Sequence, residues 1–484
     1  MKKIIFSIVC ALGISILCSC DDGDSFTTSP NNALSFSSDT IKFDTVFSTV
    51  PSSTRSFWVY NKSGDGLRCS SVRLEGGNQS GFRVNVDGAY LSSQEGYRVN
   101  DIEVRDKDSI RVYVELTSAT TNKSVPVELN DNLVFNLESG RQQKVALNAW
   151  SWDALQLRNC TISKDSTLSG TTPIIVYGKL QVDEGATLTI VPGTTLYFHD
   201  GAGIDLKGRI VCNGTPGANI TLRGDRLDRM FDYLPYDRVS GQWNGIHIAE
   251  SSYDNEISFT DLHGSFDGIV VDSSDVARNT LSIYNSTVHN CQGYGVSIVN
   301  SKATISDSQL SNTLYNCLAV EGGDVSVRNT TIAQFYPFDS SRGYALYISG
   351  NTHPLVSFDC KNSLVTGYSN VEMKDVEPSE DSGNAYNYSF SNCILRMAEV
   401  GEEKASHFVD IVYEDVKDTV KYGRNHFVKV DGDMQLYDFR LRKESAAVDT
   451  ANPATATSSD RCGNKRDDKP DIGAFEYIKS DESN

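Results

Sequence analysis

Two histidines fall at matched places in neighbouring repeats of this chain, and imidazoles so placed can hold a metal or move a proton. Aligning Leu262 with Val288 puts His263 over His289, about 5 Å apart if the two segments are adjacent parallel strands. Asp261 and Asp267 are close in sequence, so a ligand set or an acid–base pair can be written down. Both rings are expected to point outward. Two histidines without a third ligand are expected to form only a solvated polar wall, with no metal bound. A second group is the segment from Arg223 to Trp243, which carries four Arg, four Asp, two Tyr, one Phe and one Trp. Its interleaved charges can make charge-assisted hydrogen bonds. Tyr233, Tyr236 and Trp243 offer flat faces to a sugar or a partner protein. The candidate binding residues are therefore Arg226, Asp228, Arg229, Asp232, Tyr233, Tyr236, Asp237, Arg238 and Trp243. The alternative is a loop stapled by its own Arg–Asp pairs over a coil edge. Arg466, Asp471 and Glu476 form a third set, either a catalytic trio or backbone clamps. No catalytic residue is assigned.

These groups need a frame, and the frame is a repeat. Leu281-Ser-Ile-Tyr-Asn-Ser-Thr-Val288, Ala303-Thr-Ile-Ser-Asp-Ser-Gln-Leu310 and Val325-Ser-Val-Arg-Asn-Thr-Thr-Ile332 are copies of one pattern. Between them recur Gly245-Ile-His-Ile248, Gly268-Ile-Val-Val271, Gly295-Val-Ser-Ile298, Cys317-Leu-Ala-Val320 and Ala345-Leu-Tyr-Ile348. Their first residues are 23, 27, 22 and 28 apart. The alternation has period two, so Leu281, Ile283 and Val288 point inward while Ser282 and Tyr284 point out. One such coil cannot bury its apolar side alone, whereas stacked coils bury a continuous core. Asn, Asp and Ser suit the bends between strands.

From about Ile174 to Met397 this pattern resembles the right-handed parallel β-helix superfamily, which includes pectate-lyase-like enzymes. The line Gly178-Lys-Leu-Gln-Val-Asp-Glu-Gly-Ala-Thr-Leu-Thr-Ile-Val-Pro-Gly-Thr-Thr-Leu-Tyr-Phe198 resembles the first coils of secreted members. That fold hosts lyases, hydrolases, adhesins and scaffolds. A hydrolase of the polygalacturonase type would bring Gly-His-Gly, which is absent, and Arg-x-Lys, which occurs only at Arg105-Asp-Lys107, outside the repeats. A lyase of the pectate type would bring clustered carboxylates beside a Lys or Arg column, and the acidic residues here are scattered instead. No cofactor is expected, and calcium is left without support.

Before the repeats, Leu34 to Trp150 reads as an all-β sandwich of Ig-like type. Its predicted strands are Thr40–Phe47, Ser53–Asn61, Ser71–Glu75, Phe82–Val86, Ile102–Val104, Ser109–Leu116, Val125–Val134 and Lys144–Ala149. It is expected to act as a spacer and to cover the open end of the solenoid. Met1-Lys-Lys3 and the apolar run Ile4 to Leu17 read as a secretory signal over 1–19, too short to span a membrane as a mature helix. Leu17-Cys-Ser-Cys20 resembles the lipobox of bacterial lipoproteins, which implies lipidation at Cys20. Asp21, Asp22 and Asp24 resemble the surface-export signal of Bacteroidota lipoproteins, in a tether over 20–33. Several triplets, among them Asp108-Ser-Ile110 and Asp418-Thr-Val420, resemble O-glycosylation sites and equally suit acidic turns.

From Gly401 to Asn484 come Asp438-Phe-Arg-Leu441, Ser445-Ala-Ala-Val-Asp449, Asp460-Arg-Cys-Gly463, Arg466 and Asp471-Ile-Gly-Ala-Phe-Glu-Tyr477. In order, they resemble the closing motif of secreted β-helix proteins, which implies that Arg466, Asp471 and Glu476 hold the backbone of the last coil and cover its edge. Net charge is 44 − 63 = −19, and no basic run occurs, which argues against nucleic acid as a partner. The cysteines lack metal-ligand spacing, and most are expected to be small core residues. The expected whole is a lipid-anchored outer-membrane protein facing outward, serving as a scaffold for an outer-membrane protein or binding a glycan. The alternatives are a polysaccharide lyase or hydrolase, with substrate between Trp243 and His289, and an adhesin.

Overall fold

The computed structural model of the chain describes residues 25–170 and 172–479. Cys20, Asp21, Asp22 and Asp24 lie outside the described residues. The chain divides into two compact units, one ending at Asp153 and the other beginning at Ala154.

The first unit is a sandwich, and strict alternation builds it. Ser109–Leu116 buries every second side chain, and so does Phe82–Val86. One sheet orders its strands as Leu34–Phe36, Arg55–Asn61, Ser109–Leu116, Phe82–Val86 and Ala89–Tyr90, all antiparallel. The other orders Thr40–Phe47, Gln142–Trp152, Val127–Leu137, Leu67–Leu74 and Arg98–Val104. Here the first pair is parallel and the others antiparallel. Phe57, Val59 and Val112 from one sheet meet Val72, Leu133 and Phe135 from the other in a shared core.

The second unit is a right-handed parallel β-helix with three sheets. Its first face stacks Thr195–Phe198, Ile220–Gly224, Thr260–His263, Thr287–Cys291, Gln309–Thr313, Thr331–Gln334, Leu364–Gly367, Ile394–Leu395 and Val412–Tyr413. The second face runs from Gly203–Leu206 through Ile246–Ile248 to Met373–Val376. The third runs from Ser166–Leu168 to Phe408–Val409. Strand pairing therefore begins at Leu155 and continues to Tyr413, beyond the segment in which the repeat is visible. The long strand Ile174–Val182 serves both the first and second faces, with Gly178 at φ 68° turning the corner. Leu188, Leu262, Ile283, Val288, Leu310 and Ile332 are among the side chains of one continuous core. Gly245, Gly268, Gly295, Cys317 and Ala345 each directly precede a second-face strand. At Gly245 (φ 87°) a Cβ would collide with the Asp267 carbonyl of the next coil, so spacing and close stacking have one cause.

Between third and first faces, one turn recurs. Asn285, Asp307, Asn329, Asn362 and Asn392 are left-handed, with φ of 45°, 49°, 44°, 50° and 53°. Asn and Asp tolerate that region because a short polar side chain bonds locally. After the first four of these, Ser286, Ser308, Thr330 and Ser363 form a buried hydroxyl ladder, in which Ser286 N–H donates to Ser308 Oγ (3.1 Å) and Thr330 N–H to Ser363 Oγ (3.2 Å).

The closing segment differs from expectation. Instead of covering the last coil, it runs back along the column of left-handed residues. Asn362 Nδ2 donates to Asn452 O, Asn329 Nδ2 to Asp471 O and Asn285 Nδ2 to Asp460 O. Arg461, further on, reaches Thr287 Oγ1 and Asn219 Oδ1. The reason is chemical: a left-handed Asn turns its amide outward, where it can pair with an extended backbone that has no sheet partner. Arg466 is a clamp, donating to Asp307 Oδ1, Glu476 Oε2, Asp471 O and Gly473 O. Asp471 accepts the N–H groups of Asp449 and Tyr477. Burial pushes its carboxyl up to about 7 despite those bonds.

A hairpin, Phe427–Asp431 with Leu436–Leu441, lies on the outer side of the first face. Phe427, Phe439 and Leu441 pack with Phe335, Leu364 and Ile394 in a second apolar cluster. Beside it, Glu414 Oε2 accepts from Arg396 Nη1 (2.7 Å) and Gly423 N–H, and Glu414 Oε1 pairs with His426 Nε2 (3.0 Å). His426 Nδ1 lies 2.7 Å from Ser445 Oγ. Burial would raise the Glu414 carboxyl, but the hydrogen bond and charge of His426, with Arg396, hold it below the usual range. All eight cysteines among the described residues are free, and all but Cys160 and Cys462 are buried.

Candidate functional site

Strands Thr260–His263, Thr287–Cys291 and Gln309–Thr313 point Leu262, Val288 and Leu310 into the core. The register pairs Asp261 with Thr287 and His263 with His289, and, one coil on, Thr287 with Gln309 and His289 with Ser311. Alternation therefore puts these polar side chains outside, and the two imidazole centroids are 4.9 Å apart. Asp261 Oδ1 lies 2.7 Å from His263 Nδ1 and 3.1 Å from His289 Nε2.

The segment after Ile220–Gly224 covers this surface. Its short Tyr236–Arg238 turn brings Asp237 Oδ1 to 3.0 Å from His263 Nε2. Arg223 Nη1 pairs with the same Asp237 oxygen. The His263 side chain is left only 9% exposed, and His289 is 23% exposed. The expectation of a solvated wall fails at His263, because a lid of the chain's own carboxylate covers it. Asp267 is not part of the group: its carboxylate accepts the Tyr294 N–H at a coil corner. Across from the loop stands the closing hairpin, where Met434 O accepts from Arg238 Nη1 (3.3 Å). Between loop and hairpin lies a cleft of about 300 Å³, lined by Asp237, Asp261, His263, His289, Gln309, Gln435 and Tyr437 among others.

The electrostatics of the group follow from its pairing. Burial disfavours the His263 cation, yet Asp261 and the hydrogen bonds to Asp237 and Asp261 outweigh it and raise His263 to about 9. Burial would raise Asp261, but the charges of His289 and His263 hold it well below the usual carboxylate range. Asp237 is held at about 2, since its bond to His263 and the Arg223 charge outweigh its burial. Near neutral pH the ring of His263 is thus an imidazolium between two carboxylates.

The loop residues divide. Arg226 binds Asp228 through both carboxylate oxygens (2.7 Å each) and stacks on Tyr236, 3.8 Å from the ring centre. Arg229 Nη1 donates to Asp232 O (2.9 Å). These are the staples of a folded loop. Tyr233 stands 48% exposed beside Phe231. Trp243 corrects the sequence reading: it is 1% exposed and stacks on Phe198 at 4.1 Å, and its Nε1–H donates to His263 O. It offers no face to a ligand, because the chain has already re-entered the solenoid wall there. Asp225 pairs with His199 (2.7 Å) and Arg223 with Asp237, so the start of the segment is tied into the structure. Gln309, Gln435 and Tyr437 were not singled out from the sequence. Gln309 could have been found by extending the register one coil beyond His289, whereas the hairpin residues left no local signal.

With that geometry in view, known proteins place the fold. A sequence model described as the right handed beta helix region matches residues 145–332. No curated protein matches the chain. Among solved structures, a family 123 glycoside hydrolase from Clostridium perfringens is 8% identical over 28% of this chain, which spans only 30% of that one (TM-score 0.19). Pectate lyase Pel9A is 13% identical over 61% of this chain and 89% of that one (TM-score 0.25). The catalytic unit of a GH87 alpha-1,3-glucanase from Streptomyces thermodiastaticus is 8% identical over 74% and 88% (TM-score 0.18). The class is therefore the right-handed parallel β-helix. The strand pairing and the family match carry that statement; the remote structural likenesses add nothing about chemistry.

Proposed function

We propose that this protein binds a glycan in the cleft between the Arg223–Trp243 segment and the closing hairpin, without cleaving it. The observation that carries this reading is a cleft lined largely by polar side chains in which neither carboxyl is held protonated. Gln309, Asn290, Gln435 and Tyr437 supply donors and acceptors for sugar hydroxyls. Glycoside hydrolysis needs one carboxyl kept protonated by a raised pKa. Both carboxyls here are lowered instead, and each is committed to His263. A wider hollow of about 730 Å³ on the same hairpin, lined by Tyr336, Arg342, Tyr368 and Arg424, extends the polar and aromatic surface. In this reading Cys20 carries the lipid and the acidic tether directs the protein to the outer face of the outer membrane. Glycan microarrays followed by calorimetry, with reducing-end and unsaturated-product assays on each ligand, test it. Binding without turnover, weakened by Gln309→Ala and Tyr437→Ala, is expected. Turnover of a bound glycan would replace this reading with the lyase or hydrolase, and no binding across the panel would end it.

A further inference from the structure

We infer that Asp261, His263 and His289 hold a divalent transition-metal ion of the zinc type, with a fourth coordination position open to the cleft. The inference goes beyond glycan recognition and does not depend on it.

Three donor atoms converge. Asp261 Oδ1 faces both His263 Nδ1 (2.7 Å) and His289 Nε2 (3.1 Å), and all three residues place a ligand atom within 4.8 Å of the others. Small side-chain rotations bring such a set to the roughly 2.0–2.2 Å distances of zinc–nitrogen and zinc–oxygen bonds. The donors come from adjacent rungs of a parallel ladder, so the backbone fixes their separation before any ion arrives.

The surrounding shell is the second observation. His263 Nε2 lies 3.0 Å from Asp237 Oδ1, and an ionised carboxylate can only accept, so Nε2 carries the proton and Nδ1 is the nitrogen turned to the other two donors. A carboxylate behind a histidine in this way fixes its tautomer and raises its basicity toward a metal. Asp237 is in turn pinned by Arg223. Binding releases the proton on His263 Nδ1 to solvent and moves the one on His289 Nε2 to that ring's Nδ1, and the ion takes their place beside Asp261. Two imidazoles and one carboxylate select zinc, cobalt or nickel over calcium or magnesium, which prefer an all-oxygen shell. Three protein ligands beside an accessible cleft match the open type of site rather than the closed structural type.

The test uses the full chain stripped with chelator, then titrated with Zn²⁺ by calorimetry and with Co²⁺ by visible absorption. One ion per chain is expected, with the intense d–d bands of a four-coordinate cobalt site. His289→Ala should abolish that stoichiometric binding. Asp237→Asn leaves all three ligands in place and should weaken binding about 10–100-fold. Its melting curve, alongside that of His289→Ala, separates a lost ligand from a lost fold. No stoichiometric binding to the unaltered chain, or binding undiminished in a folded His289→Ala, overturns the inference and leaves the metal-free hydrogen bonds of Asp261 to His263 and His289 as the whole account. Glycan binding measured in chelator tests the other reading separately.

Discussion

Two of the imidazole–carboxylate groups beside the first face of the solenoid end differently. At Glu414 and His426 neither side chain has any exposed surface. Every strong valence is used inside: Arg396 and Gly423 on one carboxylate oxygen, His426 on the other, Ser445 on the far ring nitrogen. At Asp261, one oxygen serves two rings at once, and those rings border a cleft. Both groups obey the rule that buried charge must be paired. Only the second keeps room for something else. The same residue types therefore do structural work where the closing hairpin seals them and present a site where the inserted loop stops short.

Breaking the sealed group should cost more than breaking the open one. Glu414→Ala strands the Arg396 guanidinium and His426 and is expected to lose about 3–5 kcal/mol in urea unfolding. His289→Ala in the open group should lose about 1 kcal/mol, the scale of one hydrogen bond. Equal losses would erase the distinction. Trp243→Ala empties a core position against Phe198 and is expected to lose about 3–5 kcal/mol. A Trp243 that served as a sugar platform would instead change binding and leave stability alone. Asn329→Ala removes the bonds to Asp471 O and from Thr457 N–H and leaves a left-handed Ala, for a loss of about 2 kcal/mol.

The pH response separates the groups by sign. The His263 pKa is raised to about 9, so its contribution is complete below its unfolded value near 6.5 and fades as pH climbs through about 9. Asp237 and Glu414 are lowered, so theirs is present above the ordinary carboxylate range and fades on acidification. Melting midpoints from pH 7 to 10 should fall less steeply in His263→Gln than in the unaltered chain. A parallel slope would show that the open group contributes nothing there. Tyr233→Ala, at the exposed tip of the loop, should change stability by no more than about 0.5 kcal/mol.

The coils were legible because alternation and stacking act locally. Leu262 and Val288 sit in one register because each is the inward residue of its rung, and that alone predicts the meeting of His263 and His289. Trp243 shows where legibility stops. It shares its inward corner with Ser265, to which it is bridged, and Ser265 in turn touches Cys291. These residues precede Gly245, Gly268 and Gly295 by two, three and four places respectively. A corner of varying length hides the column. The cleft was less legible still. Arg238 meets Met434 across 196 residues, and no periodicity encodes a contact between a loop and a hairpin so far apart in the chain. Asp237 was among the candidates, but as one charge in a staple, since its partner on the wall belongs to a later coil.

The closing segment laid along the asparagine column has a mechanical consequence. Coils that touch only their neighbours can peel away one at a time from a free end, each step as easy as the last. Here Asn452 is tied to Asn362, Asp471 to Asn329, Asp460 to Asn285 and Arg461 to Asn219. A single seam thus bridges rungs from Asn219 to Asn362, several coils apart. Loosening any one coil must strain the seam at several others, so the solenoid should unravel in one cooperative event rather than fray turn by turn.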